Sequence, residues 1–259
     1  MEFSTLHIAV SEGEHYAPQS HTMGVILADD SAGAVIGFDT PCNVESQCSL
    51  MPKECGLLVV PSPGGLTVHS GRMTFIPMNL SSLCKLQVFL DLASAKQDEK
   101  NDVSSDLLEW DYISIPGAES MTLKQMENWM IWQAYVNPFT TRKIASMLRR
   151  LESYWLIAFL ISQSDGAERL QDFGTTYGVS TSHFRRLSRK ALGNSTKVEL
   201  QSWRLTRALL DFMGVEARVT DVAMKHGYSS LSHFSNDVKQ FCGVPPRRLK
   251  NILTHQCKK

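Results

Sequence analysis

The sequence predicts an α+β chain: a small β-barrel-like N-terminal domain with helices over residues 1–137, then an all-α C-terminal domain with two helix-turn-helix units over residues 146–256. Three observations predict it. Apolar runs of strand length, broken by Gly, Pro and Asp, fill the first 80 residues and then give way to helical periodicity. Charge changes sign along a chain that is neutral as a whole: residues 1–145 hold 8 Lys/Arg against 17 Asp/Glu, and residues 146–259 hold 18 against 9. A phrase recurs near the C-terminus, Gly178-Val-Ser-Thr-Ser-His-Phe184 and Gly227-Tyr-Ser-Ser-Leu-Ser-His-Phe234, each time after a short helical pattern.

With 259 residues and 43% hydrophobic side chains, the chain is long enough to bury two moderate cores. The strand candidates are Gly24–Ala28, Ala34–Phe38, Gly56–Val60 and Leu66–His69, separated by Asp-Asp, Thr-Pro and Pro-Ser-Pro-Gly-Gly breaks, as in a small antiparallel barrel or sandwich. Ser81 opens a helical pattern that runs to about Ala95, and the polar stretch Lys96–Ser105 reads as a loop. A second helix is expected over Thr122–Tyr135, with Thr122 as its cap and Met126, Trp129, Met130 and Gln133 on one face. Asn137-Pro138 marks a boundary, because a residue before proline is pushed out of the α region.

From Thr140 to Ser162 the apolar residues Ile144, Met147, Leu148, Leu151, Trp155, Phe159 and Leu160 recur at helical spacing, and Ser164-Asp165-Gly166 closes that element. Short helices follow: Ala167–Tyr177, Thr181–Leu192, Ser195–Met213, Thr220–His226, Leu231–Phe241 and Pro246–His255.

The repeated phrase has the chemistry of a helix pair. In the first unit Leu170, Phe173 and Tyr177 form a packed face, Gly178 takes the left-handed turn, and Ser180 caps the next helix. There Phe184 and Leu187 point inward, which turns Ser182, Arg185, Arg186 and Arg189 outward. In the second unit Val222 and Ala223 point inward, Gly227 makes the turn, Ser229 or Ser230 caps, and Phe234, Val238 and Phe241 form the inner face. Its outward residues Leu231, Ser232, Ser235 and Asn236 carry no cation, and Asp237 opposes phosphate. A helix from Lys197 to Met213, with Leu200, Trp203, Leu205, Ala208, Leu209 and Phe212, packs against both units and fixes their separation.

Two such units on one chain present recognition helices to successive major grooves of double-stranded DNA, about 34 Å apart, without a dimer. Guanidinium groups bond O6 and N7 of guanine, and basic residues release the counterions condensed on phosphate. Phosphate contacts are expected from Arg189, Lys190, Lys197, Arg204, Arg207, Lys239, Arg247 and Arg248. His183 and His233, next to inward phenylalanines, read as caps, packing residues or phosphate donors. The acidic half has no Lys or Arg before Lys53, so it suits a protein partner, a small ligand, self-association as a homodimer, or simply a solvated acidic surface.

The six cysteines Cys42, Cys48, Cys55, Cys84, Cys242 and Cys257 are too scattered for a disulfide framework and read as reduced buried thiols. Their nearest cluster, C-x5-C-x6-C, lacks the close pairs of a structural zinc site, so neither a metal nor a cofactor is expected. No nucleophile–base motif sits on a recognisable turn, which argues against an enzyme. The longest apolar runs, such as Leu156–Ile161, are too short to span a bilayer, so no membrane association is expected, and without a signal-peptide pattern the expected location is the cytoplasm.

Residues 146–256 resemble the DNA-binding domain of the AraC/XylS family of bacterial transcription regulators. The resemblance rests on Tyr177-Gly-Val-Ser180, Gly193, Trp203-Arg204-Leu205-Thr-Arg-Ala-Leu-Leu210, Val222-Ala223, Gly227-Tyr228, His233-Phe234 and Gly243-Val-Pro-Pro-Arg247. It implies base contacts from Ser182, Arg185, Arg186, Ser232, Ser235 and Asn236. The chain departs from the pattern at Asn194-Ser195-Thr196, where a Ser-Pro pair is usual, and in its uncharged second helix. Leu151-Glu-Ser-Tyr-Trp-Leu156, Tyr177 to Leu187, His226-Gly-Tyr-Ser-Ser230 and Gly56 to Leu90 are similar to the invasion-type activators of type III secretion genes. That resemblance implies a transcriptional activator of secretion and virulence genes that works with RNA polymerase and a tetratricopeptide-like secretion-chaperone coactivator. The alternative is an AraC-type regulator controlled by a small molecule bound in the N-terminal domain.

Overall fold

A computed structural model of the chain describes residues 6–39, 46–94, 110–164, 172–213 and 218–256, with side chains through 252. The chain divides into two compact units, Met1–Trp155 and Leu156–Lys259, and the division falls inside one helix. Cys42, Cys257, Leu170 and the expected loop over Lys96–Ser105 lie outside the described residues.

In the first unit the strands are β1 (Ile8–Ser11), β2 (His15–Tyr16), β3 (Thr22–Ala28), β4 (Ala34–Phe38), β5 (Ser46–Leu50), β6 (Cys55–Val60), β7 (Leu66–Pro77) and β8 (Asp111–Ser114). All pair antiparallel, in the order β5-β4-β7-β3-β6-β8, with β1 and β2 also on β7. The 12-residue β7 makes this a nearly closed barrel. Its first half pairs with β4 and its second half with β3, and it turns between them at Gly71, whose φ of 77° and close approach to the Gly33 carbonyl exclude a side chain. The inside is filled by Ile26, Ile36, Leu58, Leu66, Val68 and Phe75, all fully buried, and Trp110 stacks on Phe38 with centroids 3.9 Å apart.

The four strands with continuous apolar runs fall where the sequence predicts them. β6 is buried along its whole length. Leu58 and Val60 face the barrel interior, while the alternate Leu57 and Val59 face the side where helices and a 3-10 turn (Ala118–Ser120) cover the strand. The run expected at Leu66–His69 extends to Pro77. β1, β2, β5 and β8 have no comparable signal of their own. Ser46-Gln-Cys-Ser-Leu50 is a strand because β4 offers it a hydrogen-bonding edge.

Among the described residues, three α-helices accompany the barrel: α1 (Ser81–Ser94), α2 (Leu123–Val136) and α3 (Pro138–Arg149). Thr122 caps α2 as expected: its hydroxyl accepts from the Gln125 amide at 3.3 Å, while the Gln125 side chain accepts from the Thr122 amide at 2.8 Å. Asn137 ends α2, and Pro138 opens α3 at a position where a missing N–H costs nothing.

The single helix expected over Thr140–Ser162 is two, α3 and α4 (Glu152–Gln163), broken at Arg150-Leu151. The break lets Arg149 and Tyr154 meet one carboxylate. Arg149 donates to both oxygens of Asp91 on α1, at 2.6 and 2.9 Å, Tyr154 donates at 2.7 Å, and Gln87 adds a fourth bond at 2.9 Å. On a continuous helix, residues five apart diverge by roughly 140° and would not converge on the same group. Burial of Asp91 works against its ionisation, but Arg149, Tyr154 and Gln87 outweigh it and hold the carboxyl below its ordinary range.

Asp91→Ala strands the guanidinium and is expected to cost about 2–3 kcal/mol, less than a fully buried pair because Arg149 and Asp91 stay 22% and 20% exposed. The cost is read from denaturant unfolding at pH 7. A depressed folded pKa stabilises fully above the ordinary carboxylate range and ceases to as pH falls through the depressed value, so the gap between parent and variant should close in acid.

Candidate nucleic-acid interface

The second unit is helical: the remainder of α4, then α5 (Phe173–Tyr177), α6 (Thr181–Leu192), α7 (Thr196–Phe212), α8 (Val219–Lys225), α9 (Leu231–Cys242) and α10 (Pro246–Gln256). α5–α6 and α8–α9 are two copies of one device. Gly178 and Gly227 end the shorter helices at φ 85° and 68°. Their amides bond the Thr175 and Met224 carbonyls at 3.0 Å, and the next amides, of Val179 and Tyr228, reach back to Gly174 and Ala223 at 2.8 and 2.9 Å. The turn crosses so close that a Cβ on Gly174 would lie 3.1 Å from the Val179 carbonyl oxygen, and the matching position holds only a buried alanine, Ala223.

Ser180 and Ser230 then cap the longer helices, accepting from the His183 and His233 amides at 3.3 and 3.2 Å. Of the two serines open to the second cap, Ser230 takes the role. Both helices end on left-handed glycines, Gly193 and Gly243, which bond the Arg189 and Lys239 carbonyls.

Phe184 and Phe234 hold these helices down. Phe184 is surrounded by Phe159 of α4, Phe173 and Tyr177 at centroid distances of 6.2, 6.3 and 5.8 Å, edge to face. Phe234 packs against Phe212 at 6.4 Å and Tyr228 at 5.1 Å, with Val222, Ala223 and Val238 completing its core. Burial, with Asp237 nearby, pushes the Tyr228 phenol up to about 12. The expected inner face of the second helix is corrected at Phe241, which is 65% exposed. It follows Val238 by three residues, but on the last turn Cys242 and Leu249 close the small core and leave it outside.

α7 joins the two devices over 17 residues, about 25 Å at 1.5 Å per residue. It buries Trp203, Leu205, Ala208 and Phe212. The departure at Asn194-Ser195-Thr196 has a local explanation: Ser195 caps α7 by accepting from the Val198 amide at 3.3 Å, and the Asn194 amide donates to the buried Glu199 at 3.1 Å. Of the expected phosphate-contacting residues, Arg207 is drawn inward, donating to Ser164 at the end of α4.

One further tie has no counterpart in the sequence pattern. The Asp211 carboxylate accepts from Lys225 at 2.6 Å and pairs with His226 at 2.8 Å, so α7 grips α8, and chiefly Lys225, then His226, holds its pKa below the usual range. These residues lie 14 and 15 apart on different helices, which no periodicity signals.

The outward face of α6 carries Ser182, Arg185, Arg186, Arg189 and Lys190, all exposed. On α9, Ser232, Asn236 and Lys239 are exposed and Ser235 is half-buried. Lys197, Arg247 and Arg248 are exposed and Arg204 is half-buried. Arginines aligned over two turns of a capped helix offer guanidinium forks to a groove, whereas α9 offers a serine, an amide and one ammonium.

Phe184→Ala should destabilise the second unit by about 3–5 kcal/mol, because a fully buried ring leaves a cavity. Phe241→Ala should shift it by less than about 1 kcal/mol. Denaturant unfolding of the two variants separates these outcomes, and equal losses would contradict the exposed position of Phe241.

A helix-turn-helix domain family model matches residues 174–252, spanning both helix pairs. The chain is 36% identical over 188 residues to the invasion protein InvF of Salmonella typhi, covering 71% of this chain and 84% of that one. It is 41% identical over 109 residues to the transcriptional regulator MxiE of Shigella flexneri, covering 41% of this chain and 52% of the relative. Aligned with the structure of ToxT from Vibrio cholerae O395, it is 15% identical over 98% of both chains, with a TM-score of 0.36.

Proposed function

The chain belongs to the family of AraC-type transcription regulators that includes the invasion protein InvF, and from that membership we propose that it activates type III secretion genes together with a secretion-chaperone coactivator. The observation that carries the DNA-binding part is the duplicated helix pair, with both longer helices capped, anchored and turned so that their polar faces stay exposed. Ser182, Arg185, Arg186, Ser232, Ser235 and Asn236 contact bases. Arg189, Lys190, Lys197, Arg204, Lys239, Arg247 and Arg248 contact phosphate, and once bound the protein engages RNA polymerase. Among the described residues no helix is long and apolar enough to cross a membrane.

The coactivator reading rests on the surface of the first unit. Ile131, Trp132, Tyr135 and Val136 share one face of α2, and Phe139 continues it at the start of α3. All five are exposed, Tyr135 by 86% and Phe139 by 81%. A strip of large apolar side chains on a capped helix suits the concave groove of a helical-repeat protein. The barrel interior, by contrast, is occupied by its own apolar side chains, which favours a protein partner over a small molecule held inside.

Promoter binding and transcription by the full chain, with and without a tetratricopeptide-type secretion chaperone and at two salt concentrations, test both parts. Binding should weaken steeply as salt rises, and activation should require the chaperone. Trp132→Ala with Tyr135→Ala should abolish the chaperone's effect and leave the salt-dependent DNA binding intact. Full activation by the chain alone would defeat the coactivator reading, and DNA affinity indifferent to salt would defeat the DNA reading.

A further inference from the structure

The two recognition helices correspond position for position. Each is 12 residues long, begins after a capping serine, Ser180 or Ser230, and ends at a left-handed glycine, Gly193 or Gly243. Ser182 therefore occupies the place of Ser232, Arg185 that of Ser235, Arg186 that of Asn236, and Arg189 that of Lys239. The buried anchors match in the same register, Phe184 with Phe234 and Ser188 with Val238. The Gly turns are offset by one residue less, and Ser229 absorbs the difference before the second cap.

This register separates the exposed face into two classes. At the Ser182–Ser232 and Arg189–Lys239 pairs the chemistry is kept, serine with serine and cation with cation, while Lys190 is matched by the neutral Gln240. At the middle two pairs it changes completely, from two guanidinium forks to a short hydroxyl and a carboxamide. The side chains of Arg185 and Arg186 are exposed and make no hydrogen bond or ion pair with the described residues, and Asn236 is in the same state. Leu231 adds a third difference: it opens α9 with an exposed apolar side chain where α6 has Thr181.

Resting on the DNA-binding reading, we propose that these differences set the bases the two helices read: guanine through Arg185 and Arg186 on α6, and adenine through Asn236 on α9. The half-site under α6 presents guanine, whose O6 and N7 match a guanidinium fork. The half-site under α9 presents adenine, whose N6 and N7 match the Asn236 carboxamide, beside a thymine whose methyl group meets Leu231. Arg189 and Lys239 hold the two helices on the backbone in the same way, and Ser182 and Ser232, being alike, contact bases without distinguishing the two halves.

The test is selection of bound sequences from random duplex DNA by the full chain with the secretion chaperone present, followed by base analogues in each half-site. 7-Deazaguanine under α6 should weaken binding by the parent roughly tenfold, and 7-deazaadenine under α9 by a similar factor. The variant Arg185→Ser, Arg186→Asn transplants the α9 side chains onto α6. It should ignore 7-deazaguanine and enrich adenine in both halves. Asn236→Ala should lose sensitivity to 7-deazaadenine while the guanine half is unchanged. Enrichment of the same bases in both halves by the parent, or guanine dependence surviving in the double variant, overturns the proposal alone. No enrichment at all by the parent overturns the DNA-binding reading beneath it.

Discussion

One buried phenylalanine on the longer helix of each pair, Phe184 and Phe234, orients the surface on which the second unit's chemistry depends. A helix of 12 residues is marginal in water by itself, so α6 and α9 hold their shape because an aromatic ring on the inner face is locked by neighbours from other helices. The rings come from opposite directions. Phe184 takes its partners from α4 and α5, while Phe234 takes Phe212 from α7. With the inner face fixed, the opposite face of each helix is fixed too, and its exposed polar side chains keep a constant bearing. The glycine turns and serine caps set where the helices start; the rings set which way they face.

α7 turns two such helices into one instrument. Its buried side chains belong to the protein core, and its polar ties, Asn194 to Glu199, Arg207 to Ser164 and Asp211 to Lys225 and His226, hold the neighbouring elements along its length. A connector that frayed would let the second helix pair drift, and reading two grooves in register requires that it not drift. The exposed charge is unevenly divided: α6 carries Arg185, Arg186, Arg189 and Lys190, whereas α9 carries Lys239 among neutral groups beside Asp237.

The first unit follows a different rule. Its barrel is closed by a single long strand, β7, and its helices are tied down by the Asp91 carboxylate, which accepts from three elements of the chain. Two of its donors, Arg149 and Tyr154, flank the break between α3 and α4, so it anchors the first turn of α4, the helix in which the division between the units falls. The acidic composition of this half disfavours phosphate, and α2 and α3 expose a strip of large apolar side chains.

By itself the sequence determined the features that are local. Repeated Gly, Ser and Phe at fixed spacing specified α6, α8 and α9 to within one residue, and the end of α5 but not its start at Phe173, because turn, cap and inner face are each set within a few positions along the chain. The uninterrupted apolar runs located β3, β4, β6 and the start of β7, and the charge division assigned nucleic acid to one half and not the other. Tertiary structure decided whatever needs a partner distant in sequence. The polar strands β5 and β8 exist only because a neighbour offers an edge, and Phe241 lies outside because a core of limited size was already closed. Asp91 with Arg149, and Asp211 with His226, met through folding alone. Their distance along the chain carries no periodic signal, since a single ion pair leaves no pattern until the backbone brings its two ends together.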